Sequence, residues 1–335
     1  MSKLYFSLIL AAGFAFSGTA FASGKKSLCI YDPVGVHGDI FNMMKQYQLG
    51  ALSLGVEFEL KPYTNEKTAA ADFKAGQCQA ALITGTRARP MHKFAGTIEA
   101  MGALPEYAQL ETIVGALSRP GAAKYMKSGA YESAGMFPAG AVYLYVRDKS
   151  INSVERLAGK RLATLAFDEA AKTMVRKVGA SMIAADVSTF ASMFNNGNVD
   201  ACYAPAFAYK ALELYKGIGD SGGVIRYPLA QMTMQLLIRS ADFPGGFPQK
   251  SRALAAKSFS KSLKVSKQAE QAIPGTHWVE IPDGDKKKYD SMFKNVRVEL
   301  RDGSKVYDGT ALKLMKKVRC KSDASRAECI PGDRE

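Results

Sequence analysis

The sequence predicts an α/β fold of two similar lobes, each a βαβαβ unit, joined by strands that cross between them. Two observations predict it. A short pattern occurs twice, about 120 residues apart: Phe73-Lys74-Ala75-Gly76-Gln77-Cys78-Gln79-Ala80-Ala81 and Phe194-Asn195-Asn196-Gly197-Asn198-Val199-Asp200-Ala201-Cys202. Each reads as the end of a polar-faced helix, a Gly suited to the left-handed turn that stops it, and a buried strand. A matching landmark precedes each copy, Leu54-Gly55-Val56-Glu57-Phe58 and Val178-Gly179-Ala180-Ser181-Met182, again a helix end running into a strand. Strand, helix, Gly, strand, helix, Gly, strand, twice over, is the alternation of two α/β lobes.

Residues 1–22 read as a secretion signal. Lys3 supplies the positive start, Leu4 to Phe16 the apolar stretch, and Ala20-Phe21-Ala22 a small-x-small cleavage site before Ser23. The stretch is too short for a good membrane span, and no later run reaches 18 apolar residues. A soluble, periplasmic chain is expected.

Lobe one is expected over 23–141. It holds a strand from Leu28 to Tyr31, a loop from Asp32 to Asp39, and a helix from Ile40 to Leu54 with Phe41, Met44, Tyr47 and Leu52 near helical spacing. A strand from Val56 to Leu60, a helix from Asn65 to Lys74 and a strand from Gln79 to Thr84 follow. Ala141 to Val146 is a strong strand that crosses into lobe two, expected over 142–231. There, Leu157 to Thr164 makes a turn and first strand, and Ala208 to Lys216 a helix. The extended stretch from Ile225 to Ile238 suits the crossing back. Residues 232–335 then return to lobe one with Lys-rich helices and a tail, and Trp278 is expected in packing.

At 335 residues, 47% hydrophobic and 23% charged, the chain can bury two cores. Net charge is +14, with much of the excess in the last third, at Lys250, Lys257, Lys261, Lys264, Lys267, Lys286 to Lys288, Lys313, Lys316 and Lys317. On Ala- and Ser-rich helices these read as solvated faces. Nucleic acid is not an expected partner, because an exported chain has little access to it and no aromatic-interleaved basic motif appears. Loose contact with anionic envelope surfaces is the alternative function this charge supports.

All five Cys lie beyond the leader, in a compartment that permits disulfides. Cys29 and Cys78 fall on strands expected to be neighbours, and Cys320 and Cys329 flank a short polar segment in the tail. Pairs 29–78 and 320–329 are favoured, leaving Cys202 as a packed thiol.

Gly219-Asp220-Ser221-Gly222-Gly223 imitates a protease signature, but a helix precedes it and a strand follows, the reverse of a nucleophile elbow. His37, His92 and His277 are isolated, with no metal-ligand spacing and no phosphate loop nearby. No catalytic residues, metal or cofactor are expected.

Ligands gather at the carboxyl ends of strands in open α/β sheets, so two facing lobes should bind between them. Candidate contacts are Tyr31, Asp32, Thr84, Arg87, Phe167, Tyr203 and Gln231. Arg87 and Arg89 follow the third strand in Thr84-Gly85-Thr86-Arg87-Ala88-Arg89-Pro90. A guanidinium there could grip a carboxylate or phosphate, and a solvent-facing role or a lobe-internal salt bridge is the alternative. Of the two, Arg87 is the expected anchor for an acidic ligand. The strand-end aromatics, Phe207 included, would stack on a ligand or simply pack.

Over Leu157 to Phe207 the chain resembles the TRAP-type periplasmic solute-binding proteins, through Leu157-Ala158-Gly159-Lys160-Arg161-Leu162, Val178-Gly179-Ala180 and Asn196-Gly197-Asn198-Val199-Asp200-Ala201 leading to Pro205. More closely, it resembles a branch of solute-binding proteins named for aminoglycoside-resistance efflux. That likeness rests on Tyr31-Asp32-Pro33-Val34-Gly35, Gly76-Gln77-Cys78, Thr84 to Arg89 and Glu213-Leu214-Tyr215-Lys216-Gly217. The resemblance implies a two-lobed, type II-like periplasmic-binding-protein fold with a ligand-capturing role, and the expected protein is a monomer that captures a small molecule for an inner-membrane transporter. Two positions depart from it: Ala163 stands where TRAP-type binders place a carboxylate-holding Arg, and Ala204 where they often place Asn. Arg161 is displaced by two from that Arg position.

Overall fold

The computed structural model describes residues 24–335, so the expected secretion signal and its expected cleavage site before Ser23 lie outside the described residues. Lobe one opens with β1 (Lys26–Tyr31), α1 (Asp39–Leu52), β2 (Phe58–Tyr63), α2 (Glu66–Lys74) and β3 (Ala80–Thr84). Three helices follow, α3 (Gly85–Ala88), α4 (Lys93–Thr97) and α5 (Tyr107–Leu117), and then β4 (Lys127–Ser128) and the long β5 (Tyr131–Val146). Lobe two comprises β6 (Arg161–Leu165), α6 (Glu169–Lys177), β7 (Ser181–Ala185), α7 (Phe190–Asn195), β8 (Ala201–Pro205), α8 (Ala208–Ala211), α9 (Leu214–Ile218) and β9 (Gly223–Ile225). The chain returns through β10 (Ala230–Arg239), α10 (Phe247–Lys257), α11 (Phe259–Gln271), β11 (Trp278–Val279), α12 (Asp283–Asp302) and α13 (Gly309–Ser322).

The sheet runs β2-β1-β3-β10-β5-β8-β6-β7. Its two halves repeat one plan: β2-β1-β3 is parallel and bordered by antiparallel β10, and β7-β6-β8 is parallel and bordered by antiparallel β5. The four glycines of the repeated signature, Gly55, Gly76, Gly179 and Gly197, all sit at positive φ, between 69° and 83°. An L side chain is strained there, so Gly stops each helix and lets the strand begin within a few residues.

Strands β5 and β10 pair along both lobes and form the hinge. Their register shifts between Met232 and Thr233, opposite Pro138 and Gly140, and Gly140 has a φ of 100°. Proline cannot donate to the ladder and Gly tolerates the sharp bend, so the bulge falls where the strands pass between lobes. Helix α11 backs this point. Its Glu270 accepts hydrogen bonds from Tyr107 and from Tyr143, and the Tyr107 hydroxyl accepts one from Ala141 N.

Residues 232–335 divide between the lobes. Helix α13 packs on α4 and α5, but α12 packs on α6 of lobe two, and β11 pairs with β9. Trp278 lies edge-on to Tyr143, with ring centroids 5.0 Å apart, and beneath the Arg226 guanidinium. The expected helix over 208–216 is instead two short helices, because Glu213 adopts a left-handed conformation between them.

Cys29 pairs with Cys78 and Cys320 with Cys329, while Cys202 is a buried free thiol. The second bridge closes a tail held by a buried ion cluster. The Arg297 guanidinium meets the Glu335 carboxylate at 2.6 and 2.7 Å, and Arg319 reaches Glu335 at 2.7 Å and Glu328 at 3.1 Å. The same two arginines donate to the carbonyls of Met101 and Ala103. The tail thereby fixes the segment that enters the inter-lobe space.

Candidate functional site

A cavity of about 140 Å³ lies between the lobes, at the carboxyl ends of their parallel strands. Lobe one supplies Tyr31 at the end of β1, Thr84 at the end of β3, then Thr86 and Arg89, with Glu99 and Met101 beyond α4. Lobe two supplies Phe167 and Asp168 after β6, Tyr203 and Ala204 on β8, and Phe190 and Phe207. The hinge strands contribute Val142, Ala230 and Met232, and Tyr307 enters from the segment between α12 and α13. A wider groove of about 880 Å³, between α1, α8, α10 and α11, shares Pro33, Ile40 and Phe207 with the cavity.

Four of the sequence-derived candidates, Tyr31, Thr84, Phe167 and Tyr203, line the cavity. Three do not. The Asp32 carboxylate accepts from Val34 N at 2.9 Å and Phe41 N at 3.0 Å, holding the loop against the first turn of α1. A Cβ on Gly38 would collide with that carboxylate, so the loop is built around Asp32. Gln231 points to the other face of the hinge, donating to the Pro105 carbonyl at 3.3 Å. Arg87 pairs with Glu66 at 3.3 Å inside lobe one, and Phe167 of lobe two covers its guanidinium at 3.3 Å. The salt-bridge alternative therefore describes Arg87, and the cavity's guanidinium is Arg89.

The segment after β3 is not an open loop but the single turn α3. At 3.6 residues per turn, side chains two apart point roughly 200° apart, so Arg87 and Arg89 diverge. Glu99 builds that turn. It accepts hydrogen bonds from Gly85 N (2.8 Å), Thr86 N (2.6 Å) and the Thr86 hydroxyl (2.8 Å), and from Thr233 N (2.7 Å) and its hydroxyl (2.9 Å) on the hinge strand. Burial pushes the Glu99 carboxyl up, against the downward pull of those hydrogen bonds.

Arg89 is nearly buried and reaches across the lobes. It donates to the Gly96 carbonyl at 3.1 Å, to the Thr86 hydroxyl at 3.4 Å and to Asp168 of lobe two at 3.4 Å. Asp168 also caps α6, accepting from Ala170 N at 3.1 Å. The Tyr203 hydroxyl accepts from Leu165 N at 3.0 Å, which leaves its proton free to donate. Tyr31 makes no side-chain hydrogen bond among the described residues, and burial pushes its phenol well up, with Glu66 and Asp32 adding to the effect. Both phenols stay protonated donors near neutral pH.

Ala163 lies buried in β6 away from the cavity wall, and Arg161 is engaged at the opposite end of that strand, with Asp200 at 2.7 Å. Sequence reasoning missed Thr86, Arg89 as a cavity residue, Glu99, Asp168, Phe190 and Tyr307. Asp168 had a readable signal, because Asp before Glu169-Ala170-Ala171 is a helix N-cap pattern. Tyr307 had none.

Residues 50–334 match the family described as Solute-binding protein AdeT 1/2. The chain belongs to that family. It is 38% identical over 304 residues to the Acinetobacter baumannii protein named Probable solute-binding protein AdeT1, covering 91% of this chain and all of that one. Identity to Probable solute-binding protein AdeT2 of the same organism is 28% over 235 residues, 70% of this chain and 98% of that one. Among solved structures, the fold is similar to a TRAP periplasmic solute-binding protein from Rhodoferax ferrireducens with bound malonate, at a TM-score of 0.70 and 13% identity, over 88% of this chain and 98% of that one. It is also similar to one from Desulfovibrio salexigens with bound orotic acid, at 0.67 and 13%, over 89% and 99%. The fold is that of the two-lobed binding proteins, and the family is one of solute-binding proteins.

Proposed function

We propose that this protein is a periplasmic receptor that closes its lobes on one small solute and presents it to an inner-membrane transporter. The observation that carries this reading is the cavity itself, to which both lobes and both hinge strands contribute walls. A solute touching both lobes stabilises the closed state by its extra contacts there. Tyr31, Thr84, Phe167 and Tyr203 are its proposed contacts, together with Arg89 and Asp168. The groove that shares Phe207 with the cavity is the route inward when the lobes part.

A receptor, not a catalyst, fits these groups, because Glu99 is committed to five protein donors and Arg89 to three protein acceptors. Among the described residues no helix is long and apolar enough to cross a membrane, in keeping with a partner that supplies the membrane passage. Export follows from the leader, with Ser23 as the first mature residue.

A thermal-shift screen of small metabolites tests the reading. A solute at a hundred times its dissociation constant should add about 2.7 kcal/mol of stability. The shift should vanish in Ala204→Phe, which fills the cavity from β8. A screen without a stabilising solute, or one whose binders are indifferent to Ala204→Phe, would contradict it.

A further inference from the structure

We propose that the cavity selects a small organic cation, an amine or amidine on an apolar body, and rejects carboxylates. The inference rests on the receptor reading and concerns the charge of the solute.

Three observations lead to it. First, each guanidinium at the cavity already faces a protein carboxylate. Arg87 is spent on Glu66 beneath Phe167, and Arg89 is shared among Asp168, Gly96 and Thr86. Second, the wall and its ion-pair partners carry two guanidiniums against three carboxylates, Glu66, Glu99 and Asp168. A carboxylate entering this space would be desolvated into an excess of like charge, which is costly in a low-dielectric site. A monocation would balance it.

Third, the cavity offers an acceptor for a cation. Both hydrogen bonds of Asp168 fall on Oδ1, and Oδ2 has no protein donor among the described residues. Its contact with Arg89, at 3.4 Å, is longer than the 2.7–2.9 Å usual for a charge-assisted bond. Asp168 is itself only 6% exposed and lines the cavity, so a ligand donor can reach Oδ2 in a site that holds little solvent. Aromatic rings surround the space, among them Tyr31, Phe190 and Tyr203, and ring faces attract cations. A cavity near 150 Å³ accommodates a molecule of about benzene size.

The test compares three probes of nearly equal size, benzylammonium, benzyl alcohol and benzoate, by calorimetry and thermal shift on the intact mature protein. Benzylammonium should bind at least tenfold more tightly than benzoate, with benzyl alcohol between them. Asp168→Asn keeps an oxygen to cap α6 and removes the charge, freeing Arg89, so the order should invert toward benzoate. A role for Asp168 in capping alone would leave the order unchanged, and that outcome overturns the proposal. Tighter binding of benzoate than benzylammonium by the native protein would overturn the charge inference and leave the receptor reading intact. Binding of none of the three also overturns it, and the receptor reading is then decided separately by the metabolite screen.

Discussion

Replacing Glu335 with Leu is expected to destabilise the protein by about 3–5 kcal/mol, the usual cost of removing one partner from a buried ion pair. Among the described residues Glu335 is the only carboxylate that Arg297 meets, and both side chains are fully enclosed. Its loss leaves a guanidinium in the interior with only the Met101 carbonyl. Arg319 keeps Glu328 and is less affected. Replacing Arg297, Arg319 and Glu335 together by apolar residues should cost far less, because no charge is then stranded. Urea unfolding of the two variants measures the difference, and equal midpoints would refute this reading of the cluster.

The same cluster sets a pH dependence. Burial raises the Glu335 carboxyl, but Arg297 and Arg319 outweigh that and hold it below its usual range. Glu328 behaves likewise: burial raises it, and hydrogen bonding and charge from Arg326 and Arg319 bring it down to about 2. For groups depressed by folding, the stabilisation is complete above the unfolded carboxylate pKa, roughly 4.3, and is lost as pH falls through the folded value. The acid side of the stability curve should therefore flatten in the triple apolar variant.

Removing the bridge between Cys29 and Cys78 by a double Ala substitution is expected to cost about 4 kcal/mol, from the loop-entropy relation for a separation of 49 residues. The Cys320–Cys329 bridge, with a separation of 9, should contribute only about 2.5 kcal/mol. The first bridge joins Cys29 within β1 to Cys78 just before β3, at the end of β3 opposite Thr84. A change in urea midpoint no larger for the first pair than for the second would contradict the assignment of this bridge as the main covalent support of lobe one.

The two lobes are legible in the sequence because Gly55, Gly76, Gly179 and Gly197 each mark the same event, a helix end stopped by a left-handed turn. The hinge is legible in part. Ala141 to Val146 reads as a strand, but β5 begins ten residues earlier, and Pro138 and Gly140 hide the continuity by interrupting the pattern at the bulge. In the cavity, the strand-end aromatics Tyr31, Phe167 and Tyr203 follow from topology alone. The choice between Arg87 and Arg89 does not, because it depends on one turn of helix that Glu99 imposes from beyond α4. The role of Tyr307 depends on the tail cluster and leaves no local trace. The placement of α12 on lobe two is equally nonlocal, since its apolar face would suit either lobe.

Native mass spectrometry of the protein isolated from its own cells tests the central claim, that a solute is held between the lobes, most directly. The account predicts a folded species carrying one small-molecule mass, released on denaturation and absent from Ala204→Phe. A bare chain mass in the native protein, or an adduct retained equally by Ala204→Phe, would contradict it.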